Sequence, residues 1–362
     1  MTATLRVVLD PDAEPDIAGA GLQLARALVR TSPSGCEVAA IVPSGVDAAR
    51  AVPGLADVRT LSLARRELLT AWQLGVFGGG AAGGLIHSPS LLAPLVRHDR
   101  VHDNDQTVVT LWDLDAWERP DLMSRSALTW HKAMLKRAEK HADAVVVPTH
   151  AMAERLAERS KLRGRIRVVA GAAPLAFAVP TDAVGRRRTL DVPEGTIVVA
   201  GVDGAELAFA ALARARAQLP VVVVDVPEGA EPAVAQHAVA AGLSEAQLHV
   251  RGHLEDADRA ALLDGALALV APSQRTAFPW RVVDALALGV PVIAAGSDVH
   301  RDVIADGGTL AVPSADAFAD AVTTALGSRE SVERMSVMAG DRGRAFSWRD
   351  SADRVWQLHA EL

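Results

Sequence analysis

Asp-x-Asp occurs four times in the chain, as Asp10-Pro11-Asp12, Asp103-Asn104-Asp105, Asp113-Leu114-Asp115 and Asp256-Ala257-Asp258. Two carboxylates at that spacing can hold a divalent cation against a diphosphate. Four matches in a chain with 44 acidic residues distinguish none of them, and we assign no metal site. A Walker A loop, a G-x-S-x-G elbow and an H-E-x-x-H pair do not occur. The single cysteine, Cys36, excludes an internal disulfide and a zinc cluster built on several thiolates. What remains is glycine spacing and polar side chains at strand ends. Gly19 and Gly21, in Asp16-Ile17-Ala18-Gly19-Ala20-Gly21-Leu22, follow the first apolar run. Without a Cβ the backbone there can approach a phosphate or an acceptor, or simply turn. Asp113 follows another apolar run, where it can orient polar groups of a ligand or cap a helix. His87 and His150 stand at strand ends, where they are either site residues or structural histidines satisfied in the core.

The elements that position these residues follow from periodicity. Apolar runs at 5–9, 38–42, 85–86, 108–111 and 144–147 read as strands, with helical patterns at 22–29 and 126–141. The pattern restarts with strands at 197–200, 221–224, 248–250, 268–271, 291–294 and 309–312 and a helix at 206–218. Strands apolar throughout, separated by helices, predict parallel sheets covered on both faces. Between the two sets, residues 171–195 hold prolines and the run Arg186-Arg187-Arg188, read as a solvated interdomain connection. The glycine run 78–84 is expected to be a mobile loop. With 362 residues, half of them hydrophobic, two Rossmann-like domains are the natural division. The net charge of -7 gives no general affinity for nucleic acid. No apolar run reaches the ~20 residues that cross a bilayer, and the N-terminus has no signal core. The expected location is cytoplasmic, with contact at the inner membrane face through Lys132, Lys136, Arg137 and Lys140 as an alternative to a solvated helix face.

A family resemblance runs along the chain in order. Val108-Val109-Thr110-Leu111-Trp112-Asp113-Leu114 resembles the "VVTIHDL" stretch of family-4 glycosyltransferases, especially bacterial mannosyltransferase-like members. Ile86-His87-Ser88-Pro89 is similar to the family's "HAP" turn, and residues 138–149 to its "RADAVLTVS" strand. Residues 266–273 are similar to "ALALVFPS", residues 284–292 to "EAMACGTPVV", and Phe346-Ser347-Trp348 to "FSW". The resemblance implies an α/β GT-B fold, two Rossmann-like domains facing a cleft, with a C-terminal helix crossing back to the first domain. The expected division is 1–175 for an acceptor domain, 176–340 for a nucleotide-sugar domain and 341–362 for the returning helix.

Several positions depart from the family pattern. The family's Arg and Lys after the first strand of the second domain, which stabilise the departing diphosphate, fall at Val202 and near Glu206, beside Gly201. Each charge-assisted hydrogen bond so lost costs about 1.5–3 kcal/mol, and a missing preorganised donor costs about 10²–10³ in rate. Aligned on Phe278, the first Glu of the family's pair is Thr276 and the second, which holds the ribose, is Asp284. Pro279 offers no N–H, and Arg281 is a candidate replacement cation or a solvated arginine in a first helical turn. Trp112 stands for the family's cleft histidine, and its indole can stack on a sugar but cannot accept a proton.

The resemblance therefore assigns catalytic positions to Asp113, Trp112 and His87, and donor-binding positions to Asp284, Thr276, Phe278, Arg281, Gly201, Gly19 and Gly21. It implies retaining transfer of a hexosyl unit, mannosyl-like, from a nucleotide-sugar donor to a glycan or lipid-linked acceptor, as in polysaccharide biosynthesis. The donor is a substrate and no cofactor is implied. The altered positions keep a second reading open, a GT-B protein of weakened or absent activity that acts as scaffold or partner of an active glycosyltransferase. A nucleotide-sugar epimerase of similar build is a third.

Overall fold

The structure is a computed structural model that describes residues 3–76, 82–98 and 105–362. Most of the glycine run 78–84, and Asp103-Asn104 of one Asp-x-Asp pair, lie outside the described residues. The chain divides into two compact units, one of residues 1–171 with 347–362, the other of residues 172–346.

The first unit is built on a seven-stranded sheet. In chain order its strands are β1 (Ala3–Val8), β2 (Cys36–Val42), β3 (Asp57–Thr60), β4 (Leu85–Ser88), β5 (Gln106–Thr110), β6 (Ala144–Val147) and β7 (Ile166–Val168). They lie side by side as β3-β2-β1-β4-β5-β6-β7, and every pair is parallel. The inner strands are buried on both faces, β6 completely, which is what crossover helices on both sides require. Two strands carry no apolar run to announce them. β3 is a largely exposed edge strand of sequence Asp-Val-Arg-Thr, and β7 is three residues long.

The stretch around Gly19 and Gly21, expected as a loop, is helical. The helix starts at Pro15, whose missing N–H costs nothing at a helix start, and runs Pro15–Arg30. Gly21 is buried, and a Cβ on it would lie 3.5 Å from Pro89 Cβ, so the helix passes close to the chain leaving β4. Gly19 faces open space. Their amides belong to a helix, which corrects the expected loop. The terminal helix Trp348–Glu361 packs on this same helix. Trp356 Nε1 donates to Leu28 O at 3.2 Å, and Ser351 Oγ donates to Ala170 O at 2.8 Å.

The second unit holds β8 (Thr196–Ala200), β9 (Val221–Val224), β10 (Leu248–Val250), β11 (Ala266–Ala271), β12 (Val292–Ala295) and β13 (Thr309–Ala311). Their order is β10-β9-β8-β11-β12-β13, again all parallel. One face buries Ile197, Val199, Val221 and Val223 against Phe209, Leu212 and Phe318. A fully buried side chain of this size contributes about 1.5–3 kcal/mol. The arginine run is not a solvated loop. It ends the helix Ala183–Thr189, and Arg187 is 6% exposed, held by Asp264, Glu194 and Ala261 O.

Candidate functional site

In the second sheet the strand order reverses between β8 and β11. Loops leaving the carboxyl ends of those strands diverge there, and ligands of such sheets bind in the crevice. The chain leaves β8 through Gly201, at φ +72°, a conformation that suits glycine. A Cβ on Gly201 would meet nothing within 4 Å, so its backbone borders open space. Val202, where the family has Arg, is 41% exposed. Gly204, at φ +78°, starts the helix Ala205–Arg214 with no side-chain cap. A Cβ on Gly204 would stand 2.9 Å from Pro272 O, so the loops after β8 and β11 abut. A carboxylate bridges them. Asp203 accepts from Ser273 Oγ at 2.6 Å and from Arg275 Nη2 at 2.6 Å. Glu206, in the first turn of the helix, lies 3.3 Å from His237 Nδ1.

Asp284 and Arg281 share the helix Trp280–Ala287 and are buried within it. Asp284 Oδ2 accepts from Arg281 Nη1 at 3.0 Å and from Arg259 Nε at 2.7 Å. Arg259 also donates to Leu254 O at 2.8 Å and to Asp256 Oδ1 at 2.9 Å. Arg281 reaches in turn to Asp225, 2.6 Å from Nε to Oδ2. Asp225 follows β9 at φ +56°, a conformation that short polar residues tolerate, and lies 3.3 Å from His253 Nδ1. Burial works to raise the Asp225 carboxyl, but the His253 hydrogen bond and the Arg281 guanidinium hold it down at about 2. Arg281 is thus 7% exposed rather than a solvated residue of the first turn. Phe278 is buried, edge-on to Trp280 at 4.6 Å between ring centroids, and Thr276 is half-buried just before it.

The first unit has its own cavity, of about 690 Å³, along the carboxyl ends of β1 and β5 and the chain after β4. That size suits a small ligand. Trp112, Asp113, Asp115, Trp130, His131 and Glu14 are among its lining residues. Asp113 Oδ1 accepts from Asp115 N at 3.0 Å, so this aspartate shapes the turn as well as facing the cavity. Burial, and then the neighbouring Asp115, push the Asp113 carboxyl above its ordinary value. A carboxyl so raised stays protonated, and able to donate, to a higher pH than an exposed one. Trp112 is 6% exposed, and its N–H is committed to Pro89 O at 2.8 Å. It packs edge-on to Trp348, at 6.4 Å between ring centroids.

His87 is not among the cavity-lining residues. It is fully buried, 5.7 Å between ring centroids from His359 of the terminal helix, with Nε2 3.4 Å from Thr110 Oγ1. Burial, and then His359, push His87 well below its ordinary value, so it stays neutral. It takes the place of a structural histidine that seats the terminal helix. His150 begins the helix His150–Arg159 on the exposed side. Several of the Asp-x-Asp carboxylates are held in ion pairs. Asp10 pairs with Arg65 at 2.6 Å, Asp256 with Arg259, and Asp258 with Arg186 at 2.7 Å.

Sequence reasoning missed Asp203, Ser273, Arg275, Asp225 and Arg259. The first three stand just after β8 and β11, so their position beside a reversal in strand order was a usable signal. Arg259 had none, since its partner Asp284 is 25 residues away.

Residues 198–341, all within the second unit, match the family model described as glycosyl transferases group 1. No curated protein matches the chain. Among solved structures, sucrose-phosphate synthase from Thermosynechococcus elongatus is similar over 99% of this chain and 98% of its own, at 20% identity and a TM-score of 0.70. HepE from Anabaena, in complex with UDP-glucose, is similar over 99% of this chain and 100% of its own, at 16% identity and a TM-score of 0.72. The N-terminal domain of trehalose-6-phosphate phosphatase from Candida albicans is similar over 100% of this chain and 97% of its own, at 10% identity and a TM-score of 0.61. At these identities the likeness is one of fold. The chain has the GT-B fold, and part of its second unit, residues 198–341, is similar to the glycosyl transferases group 1 family.

Proposed function

We propose that this protein is a glycosyltransferase that moves a hexosyl unit, mannosyl-like, from a nucleotide-diphosphate sugar to a glycan or lipid-linked acceptor with retention. The observation that carries the reading is the match of residues 198–341 to the group 1 family model, on a sheet whose strand-order reversal opens beside the bare backbone of Gly201. HepE, of the same fold, is known in complex with UDP-glucose. Transfer breaks the bond between the anomeric carbon and the diphosphate oxygen, and charge grows on the departing diphosphate. The uncapped start of the helix Ala205–Arg214 offers its dipole there. The cavity of the first unit is the acceptor's place in this reading, where Asp113 and Trp130 provide a hydrogen-bonding carboxyl and an apolar face. Lys132, Lys136 and Lys140 are exposed one turn apart along one helix. That cationic row would rest on an anionic membrane surface and bring the protein to a lipid-linked acceptor.

A second reading rests on specific residues. Val202 and Glu206 leave the expected cation positions apolar and acidic, and Asp284 is 2% exposed and occupied by two guanidiniums. A protein so altered would serve as scaffold or partner to an active glycosyltransferase. The fold itself is shared with a domain of a phosphatase, so it does not choose between these.

Calorimetric titration with UDP, GDP and their sugars separates the two. Micromolar binding with slow donor hydrolysis is expected of the enzyme. Silence with every nucleotide, and co-purification of another glycosyltransferase, would leave the scaffold.

A further inference from the structure

The second unit lacks the basic pair expected after β8, yet a departing diphosphate needs a cation. Arg281, the replacement suggested by the sequence, is committed. It is 7% exposed and donates to both Asp225 and Asp284. Moving it to a ligand would take a guanidinium from the buried Asp284, which would keep Arg259, and from the part-exposed Asp225, which would keep His253.

Arg275 is differently placed. It lies in the loop after β11, at the strand-order reversal, and its side chain is 56% exposed. Its counter-ion is Asp203, in the loop after β8, and the same carboxylate takes the hydroxyl of Ser273 on its other oxygen. One anion therefore holds an Arg and a Ser donor beside Gly201 and the start of the helix Ala205–Arg214. A guanidinium and a hydroxyl are what a phosphate oxygen would engage. The exposed half of the pair can turn without unburying anything, and the abutment of Gly204 on Pro272 keeps both loops in place while it does.

We propose that Arg275, with Ser273, is the diphosphate-binding group of this protein, and that Asp203 is a built-in stand-in for the diphosphate that the ligand displaces. The proposal rests on the glycosyltransferase reading and names the residues by which that reading works here. Asp203 then acts as a threshold. It keeps Arg275 neutralised when the site is empty, and it lowers affinity for any ligand with too little charge to outcompete a carboxylate, so a nucleoside monophosphate binds weakly.

The test is calorimetric titration of the full chain with UDP, GDP and the matching nucleosides, on wild type, Arg275→Ala, Arg275→Lys and Asp203→Asn. The expected result is a loss of at least about tenfold in nucleoside diphosphate affinity for Arg275→Ala, partial recovery for Arg275→Lys, and a gain of severalfold for Asp203→Asn, with nucleoside affinity unchanged throughout. A thermal melt within a degree or two of wild type checks that exposed Arg275 is not structural. Wild-type diphosphate affinity in Arg275→Ala would overturn the proposal while leaving the donor reading intact, and so would a loss in Asp203→Asn. Wild type that binds no nucleoside diphosphate would overturn the donor reading, and the proposal with it.

Discussion

Arg259 Nε lies 2.7 Å from Asp284 Oδ2, and the two side chains are 6% and 3% exposed, so an ion pair joins the helices Asp256–Asp264 and Trp280–Ala287 with water excluded. Losing one member of such a pair costs about 3–5 kcal/mol, mostly from the charge left behind. Asp284→Ala should lose that much in urea unfolding, and Arg259→Met with Asp284→Met should recover a good part of it. The family has Glu at this position. Asp284→Glu adds a methylene to a site already filled, so it should cost about 1–3 kcal/mol without improving nucleotide affinity. Tighter nucleotide binding in Asp284→Glu would show that this carboxylate leaves the pair for a ribose.

Arg281 makes a related prediction. Because all three nitrogens of its guanidinium donate to Asp225 or Asp284, Arg281→Ala should lower stability by several kcal/mol while leaving the ratio of diphosphate to nucleoside affinity as in wild type. A fall in that ratio, with the fold intact by circular dichroism, would return Arg281 to the phosphates.

The two buried histidines of the first unit predict a pH dependence of stability. Burial lowers His359 to about 4, against the opposing pull of Asp143, and His87 also falls well below its ordinary value. Between pH 6.5 and 4 the unfolded chain takes up protons there that the folded chain refuses, so stability falls as pH falls through that window and is fully present above it. For His359 alone the change is about 3 kcal/mol. His359→Gln should flatten the urea midpoint against pH in this range. Asp225, held down at about 2, loses its contribution only below its ordinary value of 3.8 and lies outside the window. An equal slope in variant and wild type would mean that His359 is not kept neutral.

What the sequence disclosed was the set of buried strands. Runs such as Val221-Val222-Val223-Val224 or Ala144-Val145-Val146-Val147 are buried on both faces and can be nothing polar, so both sheets were readable. Edge strand β3 was not, because its exposed Asp-Val-Arg-Thr has neither an apolar run nor a buried face. The helix expected to run to residue 218 stops at Arg214, with Arg216 turned to φ +51°. The site was half legible for a different reason. Positions at strand ends, such as Gly201 and Asp113, follow from topology. Pairing does not, and nothing in the order of residues told that Arg281 would face Asp225 across 56 residues or that Arg275 would close on Asp203.

The helix Arg329–Gly343 packs against Trp280–Ala287, and two glycines in it should respond oppositely to the same substitution. A Cβ on Gly343 would fall on the carbonyl of Leu286, 2.6 Å from its carbon and 2.9 Å from Ala287 N. Those are backbone atoms, so relief requires the helices to separate. Gly343→Ala should cost at least about 2 kcal/mol. A Cβ on Gly340 would stand 3.7 Å from Gly289 Cα, an ordinary contact, and alanine is the better helix former by about 1 kcal/mol. Gly340→Ala should therefore hold or raise the thermal midpoint, while Gly343→Ala lowers it by several degrees. Because Trp280–Ala287 follows directly from the loop that carries Ser273 and Arg275, Gly343→Ala should also weaken nucleoside diphosphate binding at temperatures where the protein is still folded. Equal melting of the two variants would mean that the helices do not approach as closely as Gly343 requires.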